Sequence, residues 1–541
     1  MRGAKSAKWV AIATAVALGA TACGGGGGDD DKKDNGGAGK PAGYVSIDVG
    51  EPQKPLIPAD TNESNGSYVI QSLFTQLLDF DADGNIVYTN AESVETKDSK
   101  TWTVKLKKGW KFHNGEDVTA KSYVDSWNWY ANIKNNQQNS FWFQDIKGYA
   151  DVHPEKGDPK ADTMSGLKVV DDHTFTIELK AAVPYFNYKL GYATFAPLPK
   201  VFYDDPKAFG QKPIGNGPYT FEKWTHKKLI QVKAWKDYQG PNKAANGGIQ
   251  FKHYAGGVEA AYKDLRSGNL DMIRQVGPTD LPNYKQDLGD GAIEQPYAAI
   301  QTLTPAFYSK TFKDIDPKVL QGLSMAIDRD TITKTVLNNT RTPAESFTPP
   351  GVKGNQDLDT DVFTFNPKKA KQLIEEGGGV PGNKFTVQYN ADGGHKEWVT
   401  AVCESIRKNT GVECVGDAKP DFATDLEARD NDQVKGMYRG GWVADYPVNA
   451  NFMKELYHST AEANNGRFSN KEIDEAMNKA DNAKSLDESV KAFQEVEKKL
   501  VEHMPAIPLW YYRINGGHSQ DVDNVKVDFH GDLEVWAVTT K

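Results

Sequence analysis

Cysteine is scarce, with three in 541 residues, which excludes a small scaffold stapled by disulfides and a zinc module of clustered thiolates. Long apolar runs are scarcer still. The one candidate, Trp9 to Ala22 (WVAIATAVALGATA), has about 14 residues, short of the roughly 20 that cross a bilayer. Positive charge is in deficit: 64 Lys and Arg face 73 Asp and Glu, a net charge of -9. The chain therefore lacks the basic footprint that displaces phosphate counterions, and no nucleic-acid partner is expected. Local catalytic signatures are missing too. The ten His include no H-E-x-x-H, and no G-x-S-x-G occurs, so zinc-protease and serine-hydrolase motifs are absent. Carboxylates abound, but no spacing singles out a glycosidase pair. Neither catalysis nor a cofactor is expected.

Fifty Gly and 27 Pro, spread among 23 Tyr, 23 Phe and 12 Trp, describe a loop-rich globular protein with much aromatic surface. At roughly 100 to 200 residues per domain, the length implies two or more cores. The N-terminus has a different character. Arg2, Lys5 and Lys8 precede the apolar stretch, a charged start and small-residue end that read as an export signal over residues 1–22. Cys23 follows Gly19-Ala20-Thr21-Ala22. This junction resembles a bacterial lipoprotein signal, which would lipidate Cys23, although Ala20 stands where Leu is commonest. The tract GGGGGDDDKKDNGGAGK behind it is solvated and lacks apolar anchors, as a tether over 23–43 requires. Cys403 and Cys414 flank a helix end, the stop Gly411 and a strand start in VCESIRKNTGVEC. The chain can fold back there, and in an exported protein a disulfide between them is expected.

From Tyr44 onward strand-like and helical stretches alternate, the pattern of an α/β protein. Tyr44–Val49 and Thr101–Leu106 alternate apolar and polar residues, as does Thr174–Leu179, a period of two that predicts strands. Ser67–Leu78 carries apolar residues at helical spacing. Thr119 is placed to cap a helix over Ala120–Trp129, and Tyr219–Trp224 with Leu229–Ala234 predicts a hairpin. Later, Asp316–Val336 reads as two helical pieces, and a helix opening at Pro367 stops at Gly377. Strands are expected over Phe385–Tyr389 and Met437–Trp442, helices over Lys396–Asn409 and most of Lys471–Met504, and short strands from Ile507 on.

Two motifs mislead. Asp79, Asp81, Asp83 and Gly84 match the opening of a calcium loop, but the twelfth position is Asn90 where a bidentate Glu is needed; a plain turn explains them better. GGGVPGNK at 377–384 lacks the Lys-Ser/Thr pair of a phosphate loop and reads as a helix stop.

Several segments together resemble the extracytoplasmic solute-binding proteins of ABC importers, in the family that binds oligopeptides, dipeptides and nickel complexes. They include TWTVKLKKGWKFHNGEDVTAKSYVDSW (101–127), GNGPYTFEKW (215–224), LQGLSMAIDRDTI (320–332) and GWVADYPVNANF (441–452). The resemblance implies an α/β fold of two lobes hinged around a cleft, with an extra subdomain on the first. The first lobe would take 44–79, 213–298 and 508–541, the subdomain 80–212, and the second lobe 299–507. Gly215 and Gly217 would fall near a crossing where free φ/ψ is useful.

Peptide binders of that family carry a motif like RAGWxADY, and Arg439 to Tyr446 reads RGGWVADY. The resemblance assigns Asp445 to the ligand's α-amino group, Gly441 and Val443 to main-chain pairing, and Trp442 and Tyr446 to side-chain pockets. Arg439 would meet the ligand carboxylate, and Asn62 and Ser64 would touch ligand from the first lobe. The implied partners are an oligopeptide, an ABC permease in the membrane and a lipid on Cys23, with the protein a monomer on the outer face of the cytoplasmic membrane. A metal chelate, an oligosaccharide or a signalling peptide as cargo, or a secreted hydrolase with a similar cleft, are the rival readings.

Overall fold

The computed structural model describes residues 43–61 and 63–541; the expected export signal, Cys23 and its tether lie outside the described residues, as does Asn62. One sheet of eleven strands forms the spine. In chain order these are β1 (Tyr44–Asp48), β2 (Tyr219–Thr225), β3 (Leu229–Ala234), β4 (Gly248–Lys252), β5 (Met272–Ile273), β6 (Ala292–Pro305), β7 (Arg341–Pro343), β8 (Lys384–Asn390), β9 (Glu413–Lys419), β10 (Met437–Val443) and β11 (Ile507–His518). Across the sheet they run β9-β8-β10-β6-β11-β5-β1-β4-β3-β2, with β7 added on β11.

The two longest strands join the halves. β6 pairs with β10 through Ala299–Pro305 and with β11 through most of its length, while the far end of β11 pairs with β5. The β6–β11 ladder slips between Pro296 and Ile300 and again between Gln301 and Thr302. Such irregularities bend a ladder, and Pro296, which has no N–H to donate, is tolerated beside one. The two halves of the molecule thus meet at a bent two-stranded ribbon.

A separate antiparallel sheet contains Ala91–Thr96, Thr101–Leu106, Thr174–Glu178 and Leu167–Asp171, in that order. Helix Ala120–Ala131 lies with it, started by a capping box in which Thr119 and Ser122 exchange side-chain and backbone bonds. Its core is aromatic: the Trp127 ring lies 5.5 Å from Phe175 and 5.1 Å from Phe195, and its indole N–H donates to the Phe195 carbonyl at 3.1 Å. Aromatic burial supplies much apolar area per residue, provided such polar edges find partners.

The first helix is Ser64–Leu73, earlier than the expected Ser67–Leu78. Glu63 starts it by accepting from the N–H groups of Asn65 and Gly66. Asn216 ends it from outside, accepting from Thr75 N–H and donating to Thr75 O. Leu78–Phe80 then pairs with Ile86–Tyr88 as a hairpin, whose turn is closed by the Asp81 carboxylate accepting from the N–H groups of Asp83 and Asn85. Gly215 and Gly217 are needed for a different reason than the one expected. Neither has a positive φ; a Cβ on either would overlap the backbone of Leu73 at the helix end. The chain after Ile507 first forms one long strand, because β11 finds partners on both sides and continues to His518; the expected short strands follow as Val522–Asp523 and Thr539–Thr540, paired with each other.

Helix Lys396–Thr410 stops at Gly411, which has φ 81°, and β9 begins two residues later. Cys403 and Cys414 are joined there in a disulfide, their Cα atoms 4.8 Å apart. No helix among the described residues is long and apolar enough to cross a membrane.

Arg329, 3% exposed, anchors β11 to the helices beside it. Its guanidinium donates to the carbonyls of Ser324, Phe363 and Pro508 and to the Ser324 hydroxyl. Removing the fork would take the guanidinium donors from these buried acceptors, of which the Ser324 carbonyl keeps only the Ile327 N–H and its helix cap. Arg329→Met is expected to lower stability by about 3 kcal/mol, Arg329→Lys by less; urea denaturation with the wild-type midpoint in the Met variant would refute the role.

Candidate functional site

β10 is paired along its whole length with β6, but with β8 only at Met437 and Tyr438. Residues 439–443 therefore have one open edge. Ala444 N–H donates to Ala298 O, in register with the β6–β10 ladder. Since hydrogen-bonded pairs alternate in an antiparallel ladder, Gly440 and Trp442 turn their main-chain groups to β6, and Gly441 and Val443 turn theirs to the open edge. That edge lines a cavity of about 1310 Å³. Gly441 and Val443 are exposed there, and Ser64 and Trp442 lie on the wall as well.

Asp445 follows the edge directly and faces the same cavity. Asn451, fully buried in the first turn of helix Ala450–Tyr457, fixes it. The Asn451 amide donates to Asp445 Oδ2 at 2.9 Å, while its carbonyl oxygen accepts from Asp445 N–H at 2.9 Å and from the Trp442 indole at 3.0 Å. One amide thus sets both the acid and the ring beside it. Burial pushes the Asp445 carboxyl up to about 7, and the charge of Glu455 adds to the effect; the Asn451 bond, His530 and Lys189 work the other way. Asp445 is a half-buried carboxylate on the cavity wall, with no ion-pair partner among the described residues.

Aromatic rings crowd this end. Tyr192 lines the cavity and stacks on Trp142 with ring centres 4.3 Å apart; burial raises its phenol well above the usual range, with the Asp445 charge second. His530, also on the wall, is pushed up to about 9: burial opposes its charge, but its bond to Asp528 and the charges of Asp528, Asp79 and Asp532 outweigh it.

Another part of the wall carries arginines among acids, with Asp392 and Asp430 beside them and Arg429 ion-paired to the buried Asp425. Arg341 lies 4.3 Å over the Tyr512 ring, Arg429 over Tyr438 at 4.7 Å, and both line the cavity. Their charge is felt nearby: burial, then Arg439, Arg429 and Arg341, pushes His395 down to about 3. Arg439 itself is not on the wall. Its Nε donates to Asn390 Oδ1 at 2.9 Å and its guanidinium lies 5.1 Å over the Phe422 ring. Tyr446 is likewise off the wall. It is fully buried, its ring 5.8 Å from Tyr185 and its hydroxyl donating to Glu455 at 3.2 Å.

The structure therefore brings Asp445, Trp442, Gly441, Val443 and Ser64 to one cavity, and leaves Arg439 and Tyr446 packed behind it. Asn451, Tyr192, Trp142 and His530 escape a reading of the sequence. Only Asn451 has a local signal, six residues after Asp445 in the same run; the others come from segments more than 80 residues away in the chain.

Comparison with known proteins agrees with this architecture. The family described as bacterial extracellular solute-binding proteins, family 5 Middle, matches residues 85–464. The oligopeptide-binding protein OppA of Bacillus subtilis is 26% identical over 475 residues, covering 84% of this chain and 85% of its own. The periplasmic oligopeptide-binding protein OppA of Salmonella typhimurium is 28% identical over 463 residues, covering 82% and 83%. Among solved structures, Haemophilus influenzae OppA in complex with RPPGFSPFR aligns with a TM-score of 0.80 at 23% identity, over 93% of this chain and 99% of that one. The Escherichia coli murein tripeptide binding protein MppA aligns with a TM-score of 0.81 at 23% identity, over 92% and 98%. These matches share the two-lobed α/β fold, and the chain belongs to family 5 of the bacterial extracellular solute-binding proteins.

Proposed function

We propose that this chain captures oligopeptides in the cavity beside β10 and delivers them to the membrane permease of an ABC importer. The observation that carries the reading is the open strand edge that ends in a half-buried carboxylate. An extended peptide can pair its main chain with Gly441 and Val443, a contact that ignores side-chain identity, while its α-ammonium meets Asp445. Arg341 on the wall, with Arg439 behind it, suits a carboxylate, whereas Arg429 is already paired to the buried Asp425. The relatives named for oligopeptide binding support the same cargo, and binding rather than turnover fits a family of solute-binding proteins.

In this reading residues 44–79, 213–298 and 508–541 form the first lobe, 80–212 its added subdomain and 299–507 the second lobe, with the bends in the β6–β11 ribbon as hinge. The export signal, a lipid on Cys23 and a monomeric state complete it. Replacing Cys23 by Ser should move the protein from the membrane fraction to the soluble fraction of its bacterial host; retention on the membrane would count against the anchor.

Removing the carboxylate leaves an enclosed ammonium without its counter-charge, a loss of about 3 to 5 kcal/mol. Asp445→Ala should therefore weaken free-amino peptides by roughly a hundredfold or more and N-acetylated ones far less. Equal losses in calorimetric titration would sink the amino-anchor role.

The pH dependence has a defined sign. The ligand-free Asp445 titrates near 7, and an ammonium beside it favours the ionised form, lowering its pKa in the complex. Below about pH 7, binding must expel a proton, so affinity falls with acidity and approaches tenfold per pH unit. Above about pH 8 the peptide amine loses its own proton and affinity falls again. Calorimetry in buffers of different ionisation enthalpy should show proton release at pH 6 that vanishes in Asp445→Asn; the same affinity at pH 6 and pH 7.5 would contradict the assignment.

A further inference from the structure

Beside the ligand end of the cavity, residues 142–189 meet residues 446–493 across a seam of buried charge. Lys189, 2% exposed, donates to Asp145 and to Glu455, each at 3.0 Å. Its ammonium lies 5.8 Å from the ring centres of Trp142 and Tyr185 and 5.9 Å from that of Tyr446. Two of these rings and Asp145 come from one side of the seam; Tyr446 and Glu455 come from the other. A second pair closes the same boundary. The Tyr185 hydroxyl donates to Asp481 at 2.5 Å, and Asp481 is ion-paired to Lys454. Burial alone would lower the Lys189 pKa, but Asp145 and Glu455 outweigh it and hold the ammonium well above its usual range.

The composition of this seam is its most informative property. The seam mixes rings with ions: Tyr446 lies 6.2 Å from Trp142 and Phe493 6.1 Å from Tyr185, but the charges and hydroxyls at its centre can each return to water when the surfaces part. Desolvation and attraction nearly cancel in a buried ion cluster, so its net contribution to closure is small although removal of one member is strongly unfavourable. That is the energetic profile of a contact that forms and breaks, and ligand binding can tip a nearly balanced equilibrium. The seam also borders the site: one crevice is lined by Trp142 on one side and by Trp442, Asp445 and Glu455 on the other.

We propose that Lys189, Asp145 and Tyr185 form a latch by which residues 80–212 hold the second lobe closed on a captured ligand. Glu455 and Asp445 belong to one short run of chain and separate from Lys189 together. Open, the pair presents two carboxylates to an approaching ammonium; closing places Lys189 on Glu455 and leaves Asp445 to the ligand. The added subdomain thereby slows release without choosing the cargo. The latch rests on the peptide reading for its effect on release, but the closure it predicts needs no ligand.

The test uses the purified protein, small-angle X-ray scattering without ligand, and stopped-flow release of a fluorophore-tagged tetra-alanine and its N-acetyl form. Lys189→Met is expected to enlarge the radius of gyration of the unliganded protein and to speed release of both probes by about ten- to a hundredfold, with their ratio unchanged. Lys189→Arg should retain most of the wild-type behaviour, and Tyr185→Phe should speed release several-fold. Asp445→Ala, by contrast, should alter the ratio and leave the unliganded dimensions alone. A cooperatively melting Lys189→Met variant with wild-type release rate and dimensions overturns the latch; if that variant does not fold, the same result in Tyr185→Phe overturns it. Should neither probe bind the wild-type protein, the peptide reading fails, and scattering alone then decides the latch: expansion in Lys189→Met upholds it and unchanged dimensions refute it.

Discussion

A half-buried carboxylate with no ion-pair partner among the described residues is an unfavourable arrangement, and the wall of the cavity carries one. Asp445 is kept in place by a single buried amide, Asn451, which also orients Trp442. Under the proposed role a cation would relieve that penalty, because the desolvation that raises the carboxyl to about 7 also strengthens its attraction to an ammonium. A solvated aspartate would bind the same group weakly.

The second constraint is geometric. β10 can offer main-chain groups because β8 stops pairing with it after Tyr438, and the cavity fills the space that a further strand residue would occupy. In the proposed reading, backbone pairing would hold an extended chain without reading its sequence, and the carboxylate would set its direction. Both elements lie in one run of seven residues, Arg439 to Asp445, so their relative position is as rigid as a strand.

Capture also needs a way in. The β6–β11 ribbon is irregular at two register shifts, and the seam between residues 142–189 and 446–493 contains buried ion pairs among its rings. In the proposed reading the irregular ribbon serves as hinge, and the ions at the centre of the seam part and re-form as the lobes move.

Much of this was legible in the residues themselves. Period-two strands such as Thr101–Leu106, the Thr119 cap, the Gly411 stop and the Cys403–Cys414 pairing all depend on neighbours within about a dozen positions, and local backbone preference decides them. The run Arg439–Tyr446 was legible in another way, by its resemblance to a motif of peptide binders, and the structure places its Asp445 on the cavity wall. Tertiary contacts decided the rest. The first helix ends where Asn216, more than 140 residues away, captures Thr75, and Gly215 and Gly217 answer to the approach of Leu73 rather than to their own φ. Tyr446 reads as a pocket wall but is drawn into the seam by Tyr185 and Glu455, and Lys189 carries no local mark at all. Pairings of that span hinge on which surfaces the folded lobes bring together, and a periodicity measured along the chain contains no information about them.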